Sequence, residues 1–375
     1  MKNKKGRVIL SFLLAVYTFL LPIAVSADAA SSTAVEPTDT ELQNSDAVAV
    51  LADDVQVGSR IWELFFGSGK KNRTDIMLCP GGDVFGVKMR QKNVTVAEAR
   101  GIPALSPGDI ILSINGKAIS SSNDIKAQMS KCKGESVTIR ARHNRNEIGV
   151  EIRPTLEDGE YKLGLTLRDG AAGIGTMTFI DPTTGLFGGL GHGICDGDSG
   201  EIINMQSGEV CGVVLGGVHK GECGKPGELC GILTDEVFGS LTANNECGVF
   251  GIITDKSIIP TNTIPIASRD EICEGEATII STLKNGKTAE YKIEIYDIDK
   301  TSDGSKSFRI KVTDPTLKAL TGGIVRGMSG SPIIQNGKLV GAVTHVLIND
   351  PTTGYGIFIE NMLSAAQNQV HPKAA

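Results

Sequence analysis

The chain has 375 residues, of which 40% are hydrophobic and 21% charged, a composition typical of folded domains that excludes a fully disordered protein. The formal net charge of −6 at pH 7 argues against a nucleic-acid-binding protein, which would need an excess of basic side chains. The 46 glycines and the low aromatic content of 5% indicate many tight turns, as in a turn-rich β protein.

The amino terminus has the pattern of an export segment. Four basic side chains lie in the first seven residues, an uncharged run follows over residues 8–25, and small residues occupy 25–27. This pattern predicts a signal peptide cleaved after Ala27, although the apolar run is also long enough for an uncleaved membrane anchor. We therefore predict a signal peptide or anchor over 1–27 and a flexible tether over 28–75.

Residues 76–155 predict a small domain of short strands with one helix. The stretch 106–119, which reads SPGDIILSINGKAI, resembles a PDZ domain. In PDZ domains a glycine-rich loop binds the carboxylate of a peptide, and the peptide adds a strand to the sheet edge. The resemblance implies that Gly82, Phe85 and Gly86 form this peptide-binding loop. The alternative is that the loop only turns the chain and the domain acts as a spacer or inhibitor.

The region 160–375 is rich in glycine and in short alternating strands, and only its last stretch, 360–370, has the pattern of a helix. An all-β sandwich or barrel is the direct prediction.

The segment 327–332, which reads GMSGSP, contains a serine between glycines immediately before a strand. Such a turn exposes the Ser329 hydroxyl and directs the N–H groups of Gly327 and Ser329 to one point, as an oxyanion hole requires. A serine hydroxyl needs a base to act as a nucleophile. Of the five histidines, His192 is the best candidate, because glycines flank it in GLGHGICD at 189–196. A structural turn and a structural histidine are the alternatives.

The order of these motifs is similar to that of chymotrypsin-like proteases, in which a GDSGGP-type turn precedes a hairpin and a strand lining the substrate cleft. This resemblance implies a double β-barrel in which Thr344, His345 and Val346 line the cleft. Segments over nearly the whole chain resemble the SpoIVB peptidase family more closely. They are GIGTMTF at 173–179, GHGI at 191–194, PGEL at 226–229, GVFG at 248–251 and the long run 321–363.

Membership of that family would imply a serine endopeptidase that is exported from the forespore across its inner membrane during sporulation. It would cleave itself and a membrane-bound regulatory protein, which releases an intramembrane protease that processes a late sigma-factor precursor. The PDZ domain would serve in self-interaction, targeting and restraint. The family's nucleophile matches Ser329, its general base matches His192, and its acidic residue matches Asp314.

The acidic residue stays open on the sequence alone. Asp235 lies 43 residues after His192, a spacing closer to that of chymotrypsin-like enzymes, and Asp196 lies only four residues after it. A group other than a carboxylate could also orient the histidine. Asp314 also precedes a proline, as a turn residue often does.

No cofactor or catalytic metal is predicted, because the chain has no HExxH motif and no complete phosphate-binding GxxxxGK[ST] loop. The eight cysteines could pair, remain small buried thiols or, in the group near His219 (Cys211, Cys223, Cys230 and Cys247), hold a structural metal. The main functional alternative is a non-catalytic exported adaptor that binds peptides or membrane proteins.

Overall fold

A computed structural model describes residues 76–143, 145–284 and 286–368. The predicted export segment and the predicted tether lie outside these residues. In the described part of the chain, no helix combines the length and apolar character needed to cross a membrane.

The described residues form twenty strands and three α-helices. The strands are β1 Met77–Pro80, β2 Val84–Ala99, β3 Ile110–Ile114, β4 Lys117–Ala118, β5 Val137–His143, β6 Asn146–Ile152, β7 Thr155–Glu157, β8 Glu160–Lys162, β9 Leu165–Ile180, β10 Leu186–Gly189, β11 Met205–His219, β12 Glu228–Asn245, β13 Gly248–Ile253, β14 Ile264–Pro265, β15 Gly275–Lys284, β16 Lys287–Tyr296, β17 Phe308–Val312, β18 Pro332–Gln335, β19 Lys338–Leu347 and β20 Asp350–Phe358. The helices are α1 Ser122–Cys132, α2 Pro315–Thr321 and α3 Ile359–Asn368.

Two closed β-barrels make up the peptidase part. In the first, β9, β10, β13, β12, β11 and β2 pair in that order, and β2 pairs back with β9. The second closes through β15, β16, β17, β20, β19 and β18. Each barrel encloses its own apolar core, as the alternating strands require. The prediction of a mainly β, chymotrypsin-like double barrel is confirmed.

The two barrels meet across an apolar interface that the carboxy-terminal helix α3 covers. Phe179 and Phe250 of the first barrel pack in one cluster with Ile357 of the second and with Met362 of α3, all fully or almost fully buried. This interface fixes the relative position of loops that come from different barrels.

The PDZ domain is an insertion in the first barrel, and it does not precede the barrel as the predicted boundary at 155–160 implied. Strand β2 enters the barrel at Val84, leaves it near Arg90 and pairs with β3 at 94–95. Strand β9 returns along it, pairing with β2 first in the PDZ part and then in the barrel. The PDZ core extends from Val94 to Leu167 and includes the buried face of α1. The PDZ domain therefore begins near residue 94 instead of 76, and it extends past 155.

The predicted peptide-binding loop lies in the peptidase part. Gly82 donates its N–H to the Met177 carbonyl at 2.8 Å and contacts β15. Phe85 is in the core of the first barrel, edge-on to Phe187, and Gly86 is paired within β2. None of the three is available to a peptide carboxylate, so this prediction is wrong. Phe85, Val87 and Met89 alternate as predicted, but their strand belongs to the barrel.

The PDZ sheet edge that could accept a peptide strand is covered by the chain itself. Residues 95–99 of β2 pair antiparallel with 165–168 of β9. Leu165 and Leu167 pack on the PDZ core, and Asp169 accepts a hydrogen bond from the Ser122 N–H at the start of α1 at 2.9 Å. The segment 165–168 thus occupies the edge where a peptide would add.

Candidate active site

The Ser329 loop connects α2 to β18 and depends on two glycines in left-handed conformations. Gly327 has φ +93° and Gly330 has φ +96°, values that disfavour any residue with a Cβ. A Cβ on Gly330 would also collide with the carbonyl oxygen of Thr176. The glycines flanking Ser329 are therefore required by backbone geometry and by the close approach of β9.

Strand β9 holds this loop through two threonines. The Thr176 N–H donates to the Ser329 carbonyl at 2.9 Å, and its hydroxyl donates to the Gly327 carbonyl at 2.7 Å. The Thr178 hydroxyl donates to the Gly330 carbonyl at 2.8 Å. The sequence alone does not identify either residue, since threonines in a strand carry no signal of this role.

The predicted oxyanion hole has the required backbone. The Met328 N–H donates to the Val325 carbonyl, and the Gly330 N–H donates to the Val343 carbonyl. Among the backbone hydrogen bonds of the described residues, neither the Gly327 N–H nor the Ser329 N–H is a donor. Two amides on the same turn are thus left for an anionic oxygen.

His192 lies in the turn after β10, where Leu190 and Gly191 have positive φ angles. The imidazole is buried, and its Nδ1 lies 2.9 Å from the Gly193 carbonyl oxygen. A carbonyl oxygen can only accept, so Nδ1 carries the hydrogen and Nε2 of the neutral ring carries the lone pair. Burial lowers the pKa of His192, against the smaller opposing effect of this hydrogen bond. The ring is therefore held as a neutral base.

Ser329 and His192 each lie against one of two consecutive residues of β19, Thr344 and His345. The Ser329 hydroxyl donates to the Thr344 carbonyl at 2.8 Å, and the His345 ring centroid lies 5.0 Å from that of His192. Gly191 packs on the Thr344 side chain. Because Thr344 and His345 are consecutive, the structure places the predicted nucleophile and base at neighbouring positions along β19, with the hydroxyl proton directed at a carbonyl. The hydroxyl must turn from Thr344 toward His192 to react.

The three predicted cleft residues have different environments. The Thr344 hydroxyl points inward, donating to the carbonyls of Ser305 and Tyr355, so this residue offers only its backbone to the cleft. Val346 packs partly against the core of the second barrel. His345 lines the cavity. Burial, followed by the nearby charges of His192 and Lys306, lowers the pKa of His345 to about 3.

A cavity of about 380 Å³ adjoins His192 and His345. Its wall carries acidic and basic side chains, namely Asp196, Asp198, Glu246 and Lys306. The cavity is open to solvent beside His192 and offers room for part of a polypeptide.

The structure does not bring Asp314 to His192. Asp314 caps α2, where its carboxylate accepts from the N–H groups of Thr316 at 2.8 Å, Leu317 at 3.0 Å and Lys292 at 3.2 Å. Burial raises the pKa of Asp314, but these hydrogen bonds outweigh it and lower the pKa overall. One oxygen caps α2 and the other accepts from β16, and the Gly193 carbonyl takes the position of orienting partner at His192.

The two alternative carboxylates are also engaged elsewhere. Asp235 is fully exposed and pairs with Lys88 at 3.3 Å. Asp196 lines the cavity, where it accepts from the Ser199 N–H at 2.9 Å and stabilises its own turn. All eight cysteines are free thiols, so the expected possibility of disulfides is not realised in this structure.

Comparisons with solved structures find proteases and PDZ domains. The PDZ domain of an SdrC-like protein from Listeria monocytogenes is 30% identical over 21% of this chain and 90% of that one, with a TM-score of 0.19. The active form of the Rv3671c protease from M. tuberculosis is 12% identical over 66% of this chain and 85% of that one, with a TM-score of 0.31. The HtrA-type protease AlgW is 13% identical over 54% of this chain and 57% of that one, with a TM-score of 0.34.

No curated protein sequence gives a significant match. The sequence profile described as SpoIVB peptidase S55 matches residues 159–363, which is more than half of the chain and includes both His192 and Ser329. The chain therefore belongs to the SpoIVB peptidase family and is a serine endopeptidase.

Proposed function

We propose that this endopeptidase uses Ser329 as nucleophile and His192 as general base, and that it cuts itself and a membrane-bound regulatory protein during sporulation. The single observation that carries the chemical part is that Ser329 and His192 contact two consecutive residues of β19, Thr344 and His345 respectively. The His192 ring is held there with Nε2 as its acceptor atom.

The first step is the attack of Ser329 on the scissile carbonyl. The hydroxyl turns from Thr344 to His192, and Nε2 takes its proton as Oγ bonds to the carbonyl carbon. The N–H groups of Gly327 and Ser329 then stabilise the negative charge that develops on the carbonyl oxygen. Nδ1 stays bound to the Gly193 carbonyl, which stabilises the imidazolium by accepting from it.

The second step releases the two products in turn. The imidazolium donates its Nε2 proton to the leaving amine, and the peptide bond breaks to give an acyl-enzyme on Ser329. A water molecule then attacks the ester with His192 again as base, and the carboxylic product leaves. No cofactor takes part in this proposal.

The biological role rests on family membership and on the export-type amino terminus. We expect the protein to be made in the forespore and exported across its inner membrane, and to be membrane-associated before cleavage. In the intermembrane space it would cut the membrane-bound regulator of an intramembrane protease, which signals to the mother cell for late sigma-factor activation. The non-catalytic adaptor is disfavoured by the site and the family.

Self-cleavage tests the catalytic part of the proposal. The chain without residues 1–27 should fragment at neutral pH, as followed by intact mass, whereas Ser329→Ala should stay whole because loss of a catalytic serine slows reaction by roughly a millionfold. Equal fragmentation of both proteins would contradict the proposal.

The substrate part needs a separate assay. The regulatory protein, placed in vesicles with its membrane segment intact, should be cut by the parent and not by Ser329→Ala. Persistent self-cleavage without any cut in the regulator would overturn the proposed role while leaving the chemistry in place.

A further inference from the structure

Three metal-binding side chains meet outside the catalytic site, on the hairpin formed by β11 and β12. They are His219, Glu228 and Cys230, and one ligand atom from each lies within 4.8 Å of the other two. His219 Nδ1 is 3.1 Å from Glu228 Oε1 and 3.4 Å from Cys230 Sγ. We propose that these three side chains form a zinc site.

The register of the hairpin explains why the three side chains converge. His219 lies directly opposite Glu228, and Cys230 lies opposite Gly217. Side chains two residues apart in a strand share a face, so Glu228 and Cys230 project to the same side as His219. The contacts between these three side chains show that they use this common face.

The donor set fits zinc better than calcium or magnesium. Imidazole nitrogen, thiolate sulfur and carboxylate oxygen are the three ligand types that zinc takes, whereas the harder cations take oxygen alone. Bonds of about 2.0 to 2.3 Å in a tetrahedral arrangement place ligand atoms roughly 3.3 to 3.7 Å apart. The observed separations from His219 Nδ1 are within a few tenths of an ångström of this range.

The fourth coordination position is open. A Cβ built on Gly217, opposite Cys230, would meet no heavy atom within 4 Å. His219 is exposed, and the other two ligands are half-buried, so an ion can enter from solvent. A water molecule would complete the tetrahedron. Binding requires the Cys230 thiolate, and the thiol proton is released to solvent.

The site lies directly behind the catalytic loop. Leu229, between two of the ligands, packs against Gly327 and donates its N–H to the Arg326 carbonyl at 2.9 Å. The Arg326 N–H donates in turn to the Gly227 carbonyl at 2.9 Å. An ion that ties β11 to β12 therefore stabilises the segment against which the oxyanion hole is built.

Metal titration of the full chain carrying Ser329→Ala, which cannot cut itself, tests the proposal independently of proteolysis. A chelator first removes any bound metal, and zinc is then titrated in. The protein should retain one zinc ion per chain when excess zinc is dialysed away. Cobalt should give the near-ultraviolet charge-transfer band of a thiolate ligand. His219→Ala and Cys230→Ser should each weaken zinc binding by at least the roughly 10- to 100-fold that loss of an outer-shell partner costs.

Cys273→Ser is the matched control, since Cys273 is an exposed thiol elsewhere in the molecule. It should bind zinc as the parent does and keep the cobalt band. The metal-free variants should have the circular dichroism of the parent, because none of the replaced side chains is part of a core. The proposal is overturned if the parent retains no zinc, or if the thiolate band survives in Cys230→Ser.

Discussion

At the scale of single residues, the orientation of the catalytic imidazole is set by a backbone carbonyl and not by a carboxylate. The Gly193 carbonyl accepts from Nδ1 of His192, and burial lowers the pKa of the ring. A neighbouring carboxylate would have the opposite effect, because a negative charge favours the protonated imidazole and raises the pKa. The His192 imidazole is therefore a base that desolvation keeps neutral.

The pH profile tests this arrangement. A lowered pKa keeps His192 neutral to lower pH, so the acid limb of kcat/KM should fall below the ordinary histidine range of about 6.5. His345, with its pKa lowered to about 3, stays neutral over this range. Rates on a peptide substrate between acid and neutral pH would measure the limb. An acid limb above about 6.5 would indicate a carboxylate partner.

The placement of Asp314 gives a second prediction. Asn is as good a helix cap as Asp, so Asp314→Asn should keep its activity to within a few-fold. Asp314→Ala should lose about 1 kcal/mol of unfolding free energy, as measured by urea denaturation. A loss of roughly 10⁴ in kcat for Asp314→Asn would instead make it the triad acid.

The sequence predicts Ser329 and His192 as nucleophile and base because flanking glycines mark sharply turned backbone at both. It does not identify Gly193 as the orienting group, because any residue has a carbonyl and no side-chain pattern reports where it points. Asp314 has the right residue type but serves α2. The distinction between a helix cap and a catalytic carboxylate depends on tertiary distances.

At the scale of secondary structure, β9 is the element that joins the PDZ domain to the catalytic loop. Its first residues, 165–168, pair with the PDZ edge, and Thr176 further along holds the carbonyls of Gly327 and Ser329. One strand thus contacts both the edge where a peptide would bind and the oxyanion loop.

Thr176→Val tests the catalytic end of β9. Valine keeps the shape but leaves the buried Gly327 carbonyl without its hydroxyl partner, which costs about 1–3 kcal/mol of unfolding free energy. Displacing an N–H group of the oxyanion hole should also lower kcat, by about tenfold. This loss is smaller than the roughly 10²- to 10³-fold loss of kcat that removal of such a donor causes. Thr178→Val is the control, because it frees the Gly330 carbonyl and should lower stability with less effect on kcat. Equal kcat losses would contradict this role.

Peptide binding tests the PDZ end. Because 165–168 cover the edge of β2, peptides with a free carboxylate should not bind the Ser329→Ala protein in a calorimetric titration. Hydrogen exchange should show the amides of 165–168 protected to the same degree as barrel strands. Peptide binding without faster exchange at 165–168 would show that another surface accepts peptides.

The PDZ boundary illustrates what periodicity alone cannot supply. Strand alternation is continuous from Phe85 through Met89 and resumes at Val94, so the sequence has no signal where β2 passes from one domain to the other. The PDZ motif at 106–119 correctly predicts the domain type. The predicted start of the PDZ domain at residue 76 is too early. A 16-residue strand that two domains share has the same local pattern as a strand that lies within a single domain.

At the scale of the whole molecule, the proposed site depends on the docking of two barrels, whose loops supply its different parts. His192 comes from the first barrel, Ser329 precedes β18 of the second, and α3 packs across the interface.

Met362→Ala should cost about 2–5 kcal/mol of unfolding free energy in urea denaturation. Ser364→Ala, on the exposed face of the same helix, should change it by less than about 0.5 kcal/mol. Equal small effects would show that α3 does not hold the interface.

The most direct test of the central claim is covalent labelling by a fluorophosphonate, which reacts only with an activated serine. The account predicts one label per chain on Ser329 by peptide mass mapping, loss of the label in His192→Ala, and retention of the label in Asp314→Asn. Thermal unfolding would confirm that the unlabelled variant is folded. Labelling at another serine, or undiminished labelling of Ser329 in folded His192→Ala, would contradict the assignment of nucleophile and base.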